Sequence, residues 1–321
     1  MEYLRLRSGG KMPIVGYGTY LTTGLELEIA LNKALEAGYR SIDTASGYGN
    51  ERSIGKVLNE WISSGKVTRD ELFVTTRLPI YGNRAKDVEK YIKESLKQFQ
   101  LDYIDMYSIH TPFGVFQGDT TDYTKMQRDD STDHLKIWKA MEDQVDKGLI
   151  RAIGLSNFNV RQIQKILDHC RIRPDNVQNE IHLYLQTPEL IQFCQKNEIT
   201  VTGYSSLGMK DGRKLLGFSW ANEKLPEMLE NDVVVEVAKK HRKTPAQVLL
   251  RFFVQNGVSV IPKSTNPQRL MENIRIFDFE LDPGDVRALR SQDAGEGGRI
   301  VRFLFFPGIT EHPEYPFPIQ F

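Results

Sequence analysis

Short apolar runs alternate with stretches of helical period along most of this chain, and that alternation restricts its fold more than any other feature. Strand-like runs fall near residues 16–20, 39–43, 72–76, 103–109, 150–155, 176–180, 199–204 and 258–261. Between them lie amphipathic stretches near 25–37, after Asn50, and near 86–99, 132–147, 159–169 and 187–195, then a pair near 232–242 and 244–255. Such alternation predicts a parallel sheet flanked by helices. Eight strand–helix units in 321 residues fit a single closed (β/α)8 TIM barrel over residues 1–321. Residues 3–15 read as an N-terminal β-hairpin, and 111–131 and 208–230 as long loops at the C-terminal rim. An open doubly wound sheet is the competitor. Its dinucleotide fingerprint is missing, because Gly16-x-Gly18 lacks the third glycine and the ribose-binding acid, and a tight strand end explains the pair equally well.

Charge narrows the partners. Lys+Arg and Asp+Glu are both 42, so the net charge is zero and nothing favours nucleic acid or an anionic membrane. The first residues carry no signal-like apolar run, and no segment reads as a membrane span. The expectation is a monomer in the cytoplasm acting on a small molecule. Cys170 and Cys194 both fall in helical stretches and read as buried free thiols rather than a disulfide or zinc site.

Residues capable of chemistry gather at the ends of the predicted strands. Asp43, Arg77, His110, the pair Ser156 and Asn157, Gln178, Tyr204, and the pair Lys263 and Ser264 sit at the C-terminal ends of different predicted strands. In a parallel barrel those ends share one rim, where active sites are built. Polar residues also mark strand ends in general, so each one alone carries little weight. Tyr48 lies between two glycines just before a helix for which Asn50 is a plausible N-cap, with Glu51 in the first turn. A phenol, with its ordinary pKa of about 10, becomes a useful proton donor only near a positive charge. Arg77 supplies such a charge, and Asp43 can pair with it bidentately and orient it. His110 could hydrogen-bond a carbonyl oxygen that receives the proton. His182 reads as structural.

No side chain supplies a hydride, so reduction of a carbonyl here requires a cofactor. Asn157 and Gln178 offer amides suited to a carboxamide, and Tyr204 offers a flat face for stacking. Lys263 and Arg269, with the hydroxyl and amide donors Ser264, Thr265 and Asn266 between them, precede or open a helix and suit a terminal phosphate. A solvated turn would explain that stretch as well.

The sequence strongly resembles the aldo-keto reductases. The motifs are Met12-Pro13-Ile14-Val15-Gly16-Tyr17-Gly18-Thr19, Gly38-Tyr39-Arg40-Ser41-Ile42-Asp43, Tyr48-Gly49-Asn50-Glu51, Leu101-Asp102-Tyr103-Ile104-Asp105 with His110, Gly154-Leu155-Ser156-Asn157-Phe158, Gly203-Tyr204-Ser205-Ser206-Leu207-Gly208, Ile261-Pro262-Lys263-Ser264 and His312-Pro313-Glu314-Tyr315-Pro316-Phe317. They run in family order from the hairpin to the last residues. The resemblance implies a (β/α)8 barrel that reduces aldehydes or ketones with NADPH. It assigns Tyr48 as acid/base, His110 as the carbonyl-orienting group and Asp43 as charge partner. It places Thr19, Asp43, Ser156, Asn157 and Gln178 at the nicotinamide end, with Tyr204 stacked on the ring. Ser205 and Leu207 would lie along the pyrophosphate. Lys263, Ser264, Thr265, Asn266 and Arg269 would hold the 2′-phosphate, with Glu272 and Asn273 at the adenine. Tyr20, Tyr48, His110, Thr111 and Phe303 would face the substrate.

The departures concern the chemistry. Arg77 stands where the family has a catalytic lysine, and a planar guanidinium is not equivalent to an ammonium. Tyr20 and Thr111 replace tryptophans, and Ser206 replaces a proline. The loss of the tryptophans suggests a roomier or more polar pocket, whereas the apolar tail 299–306, lining the substrate side with loop 112–131, points to a hydrophobic, steroid- or lipid-like carbonyl. Arg77 also keeps open a second reading: an NADPH-binding protein with weak or no catalysis and a structural or sensing role.

Overall fold

A computed structural model, describing residues 2–116, 118, 122–209 and 225–318, shows the alternation closed into a barrel. Its parallel strands follow chain order: β1 (Tyr17–Gly18), β2 (Ser41–Asp43), β3 (Phe73–Leu78), β4 (Ile104–Ile109), β5 (Ile150–Ser156), β6 (Asn176–Glu180), β7 (Thr200–Tyr204) and β8 (Val258–Val260). Each pairs in parallel with the next, in registers such as Gly18 with Asp43, Arg77 with Ser108, and Gln178 with Ser156. The seam closes between first and last strands. Gly16 N donates to the Val260 carbonyl at 2.8 Å and Val260 N to the Ile14 carbonyl at 2.9 Å. Gly18 is required at this seam: a Cβ there would lie 2.5 Å from the Ile261 carbonyl oxygen. The Gly16-x-Gly18 pair is therefore a closure element and not a nucleotide loop.

Helices α1 (Gly24–Glu36), α2 (Glu51–Ser63), α3 (Val88–Phe99), α4 (His134–Asp146), α5 (Val160–Leu167), α6 (Pro188–Lys196), α7 (Asp232–His241), α8 (Pro245–Gln255), α9 (Pro267–Ile274) and α10 (Pro283–Arg290) are among the described residues. Their starts follow from caps. Asp133 accepts from Leu135 N and Lys136 N, and Asn159 and Gln162 form a capping box, as do Thr244 and Gln247. On α1, Leu27, Ala30, Leu31, Ala34 and Leu35 are buried, whereas Ile29 is 54% exposed. Helix α10 was not anticipated, because only Asp285 and Leu289 are buried on it, too few for a periodic signal. Its legible sign is the Asp282–Asp285 capping box with Pro283 in the first turn.

The antiparallel hairpin Tyr3–Arg5 and Lys11–Pro13 closes the barrel floor. Its Leu6 and Met12 pack on Phe73, Met106 and Ala152. Loop 111–131, expected to be without structure, contains a short antiparallel pair, Gly114–Val115 with Arg128–Asp129. Of the loop expected at 208–230, residues 210–224 lie outside those described. Cys194 is buried, Cys170 is half-buried, and both are free thiols.

Candidate active site

Asp43 ends β2, and Arg77 sits one residue before the end of β3. The register that sets Asp43 beside Thr75 brings their side chains together at the mouth. The Arg77 side chain is 1% exposed and that of Asp43 7%. Arg77 Nη2 donates to Asp43 Oδ1 at 2.7 Å and Oδ2 at 2.6 Å, while Nη1 donates to the Thr44 carbonyl. The pairing is thus not the fork-to-fork arrangement expected: one nitrogen spans both carboxylate oxygens and the other holds a main-chain carbonyl. Gln178, from the middle of β6, completes the cluster. Its Nε2 donates to Asp43 Oδ2 at 2.8 Å, and its Oε1 accepts from Arg77 Nη2. Burial is the largest single influence and works to lower the Arg77 pKa, but the Asp43 charge and hydrogen bond, together with the Tyr48 and Tyr204 phenols, outweigh it, so the pKa is raised and the guanidinium stays protonated.

A short turn, Ser46–Tyr48, carries the phenol and ends at Gly49 with φ 65°. It is tied to Arg77 through the main chain, since Ser46 Oγ donates to the Arg77 carbonyl at 2.8 Å. Asn50 stands at the N-cap position but does not cap α2. Its Nδ2 donates to the Thr19 and Thr22 carbonyls, and its Oδ1 accepts from Thr44 Oγ1 at 2.6 Å. Asn50 therefore ties the β1 end to the Tyr48 turn. Thr19 Oγ1 donates to the Asp43 carbonyl at 3.0 Å. Glu51 is buried behind the turn and accepts from Thr76 Oγ1 at 2.7 Å, and burial raises its pKa.

The Tyr48 ring lies between two others. Tyr20 is 4.9 Å away between centroids, and His110 is 6.0 Å away, edge-on. Burial, with the nearby Arg77 charge, pushes the His110 pKa down to about 3, so the imidazole is neutral near pH 7. Asn157, in the left-handed region at φ 65°, fastens the neighbouring rim. Its Nδ2 donates to the His110 carbonyl at 2.8 Å, and its Oδ1 accepts from the Tyr204 hydroxyl at 2.7 Å. Ser156 Oγ lies 3.2 Å from the same Nδ2. Burial raises the Tyr204 pKa far above the ordinary phenol range. Ser205 is also left-handed, and Leu207 is half-buried.

Farther along the rim, Asn266 caps α9 by accepting from Arg269 N at 3.1 Å, and Ser264 Oγ accepts from Asn266 N at 3.1 Å. Lys263 and Arg269 are exposed, and neither side chain has an ion-pair partner among the described residues. Thr265 is half-buried, Asn273 is buried, and Glu272 accepts from Gln268 at 2.8 Å.

Loop 111–131 and the tail together build an aromatic wall. Phe113 contacts Phe303 at 5.3 Å and Phe306 at 6.4 Å between centroids, and Phe303 lies 6.2 Å from Phe317. Phe303 has φ 58°, an uncommon backbone for a bulky residue. Thr111 is buried with its hydroxyl donating to the Phe113 carbonyl at 2.7 Å, so it shapes the loop and does not present a polar group to the mouth. Glu180 is a residue whose role was not anticipated. It accepts from Ile300 N, Val301 N and His182 Nε2, fixing the start of the tail to β6. His182 is structural, as its position suggested.

A family model described as the aldo/keto reductase family matches residues 15–294. The chain belongs to the aldo/keto reductase family. Relatives include aldo-keto reductase family 1 member A1 of Mus musculus, 40% identical over 97% of both chains, and dihydrodiol dehydrogenase 3 of Bos taurus, 38% identical over 98% of this chain and 97% of that one. A solved aldose reductase from Schistosoma japonicum superposes with a TM-score of 0.87 at 38% identity, over all of both chains. As an aldo/keto reductase, this protein is an oxidoreductase whose cofactor is NADPH/NADP+. The residues present fit that group. Two cations without ion-pair partners among the described residues flank a helix N-terminus suited to a phosphate monoester, and the half-buried Tyr204 ring lies at the rim. No helix among the described residues is long and apolar enough to cross a membrane.

Proposed function

We propose that this aldo/keto reductase reduces a hydrophobic aldehyde or ketone, steroid- or lipid-like in character, with Tyr48 as proton donor. The buried Asp43–Arg77 pair beside the Tyr48 turn carries this reading. When bound, the nicotinamide supplies a hydride to the carbonyl carbon. Tyr48 transfers its phenolic proton to the carbonyl oxygen, and Arg77 stabilises the phenolate that forms. Neutral His110 donates one N–H to the same oxygen and orients it. Asp43 holds the guanidinium in place. Ser156 and Asn157 hold the carboxamide, Tyr204 stacks on the ring, and Ser205 and Leu207 follow the pyrophosphate. Lys263, Ser264, Thr265, Asn266 and Arg269 grip the 2′-phosphate, with Glu272 and Asn273 at the adenine. Tyr20 and Phe303, with the aromatic wall behind it, support an apolar substrate. We take residues 1–321 as one barrel domain, monomeric and cytoplasmic.

The test is NADPH oxidation by the purified protein against aldehydes, diketones and steroid ketones, beside Arg77→Lys. Turnover by the native protein, best with the bulky apolar ketones, is the expected result. The second reading, cofactor binding with little catalysis, is favoured by one observation: Arg77 is engaged by Asp43, Thr44 and Gln178. Tight NADPH binding with turnover only in Arg77→Lys would establish that reading and overturn the first.

A further inference from the structure

We propose that Gln178 is a positioning residue for Arg77, and that the guanidinium holds its amide away from the nicotinamide carboxamide. The inference rests on the NADPH-dependent reading above. Its basis is a closed three-membered ring of hydrogen bonds. Arg77 Nη2 donates to Asp43 Oδ2 at 2.6 Å and to Gln178 Oε1, and Gln178 Nε2 donates to the same Asp43 Oδ2 at 2.8 Å. The amide orientation is fixed by charge. The carbonyl must face the guanidinium and the NH2 the carboxylate, because the flipped amide would set donor against donor and acceptor against acceptor.

The amide edge carrying both an acceptor and a donor is therefore turned onto the ion pair. That is the edge another amide pairs with. A nicotinamide carboxamide reaches it only if the ring opens, which exposes a charge-assisted hydrogen bond inside a buried site. Neighbouring groups permit the ring to persist: Gln178 is 5% exposed on a paired interior strand, and its main-chain carbonyl accepts from Asn157 N at 3.1 Å. Arginine creates this situation. Its Nη2 carries two hydrogens, one satisfied by Asp43 and one by Gln178, while Nη1 is held by Thr44. The planar fork directs these donors to set positions, whereas a lysine ammonium, with rotatable donors and no second nitrogen, leaves the Gln178 amide free to turn.

A double-mutant cycle in NADPH affinity tests this, read by quenching of protein fluorescence so that turnover is not needed. In the native background Gln178→Leu changes the NADPH Kd by less than about threefold, because the amide contributes little to the cofactor. In Arg77→Lys the same substitution weakens NADPH by about tenfold or more, the cost of a hydrogen bond that the freed amide had made. Equal losses in both backgrounds would overturn the proposal and make Gln178 an ordinary cofactor ligand. Gln178→Met serves as a second variant if the leucine protein does not fold. Native protein that binds no NADPH would instead defeat the cofactor reading itself, an outcome distinct from a failed coupling.

Discussion

Arg77 and Lys263 are cations on one rim with opposite surroundings. Arg77 is buried and every partner seen for it belongs to the protein: a carboxylate, a carbonyl and an amide. Lys263 and its neighbour Arg269 stand in solvent beside the N-terminus of α9 and meet no carboxylate among the described residues. A charge neutralised from within shapes the reactivity of the group next to it. A charge left open at a helix start is available to a ligand of opposite sign. The roles proposed for the two, catalysis at Arg77 and cofactor capture at Lys263, follow from the way these cations are compensated.

The comparison breaks most visibly at Tyr48. Tyr48→Phe removes the proposed proton donor while leaving the tilted ring contact with Tyr20 possible, so turnover is expected to fall by about 10²–10⁴-fold. NADPH affinity, measured by fluorescence titration on the same sample, stays within the native range. Retained turnover would remove the proton from Tyr48 and from the charge beside it.

Next in size is the buried pair. Asp43→Asn keeps the shape and deletes the charge that compensates Arg77. The expected loss of stability is about 3–5 kcal/mol, the usual consequence of an uncompensated buried charge. Urea unfolding measures it. Adding Arg77→Met should recover much of the loss, because the double variant buries no lone charge. On the open arm, Lys263→Met and Arg269→Met should each weaken NADPH by about tenfold, with little change in folding stability or in NADH affinity. A large stability loss there would mean that these cations have structural partners after all.

These two regions were not equally legible in the sequence. The barrel could be read from periodicity, because eight short strands and their helices repeat one hydrophobic alternation. The rim set was legible because Asp43, His110 and Tyr204 lie at strand ends, where a parallel barrel must bring them together. Partner choice was not. That Arg77 would bridge both oxygens with one nitrogen and hold Gln178 with it depends on a β2–β3–β6 juxtaposition that spacing does not encode. Asn50 shows the same limit. Its type and position read as an N-cap, but its amide is drawn instead to the carbonyls of Thr19 and Thr22, which come from a distant turn. Helix α10 escaped because two buried positions do not make a period, and Glu180 because two of its three partners are main-chain amides of the tail.

The smallest expected effect concerns His110 and carries a definite sign. Its folded pKa is about 3, below the ordinary 6.5, so the unfolded chain binds a proton that the folded site refuses. Stability contributed by neutral His110 is therefore complete above about pH 6.5 and is lost progressively as pH falls toward 3. His134, fully buried where His110 is half-buried, has a lowered pKa, donates to the Pro112 carbonyl and adds a slope of the same sign. His110→Gln should flatten part of the decline in urea midpoint between those limits and leave the His134 share. If the slope is unchanged, the half-buried His110 imidazole is hydrated well enough in the folded protein to keep its ordinary protonation. The imidazole would then take up a proton at acid pH and face Tyr48 as a cation. In that case turnover would respond to pH near 6, where the arrangement described here predicts no inflection from His110.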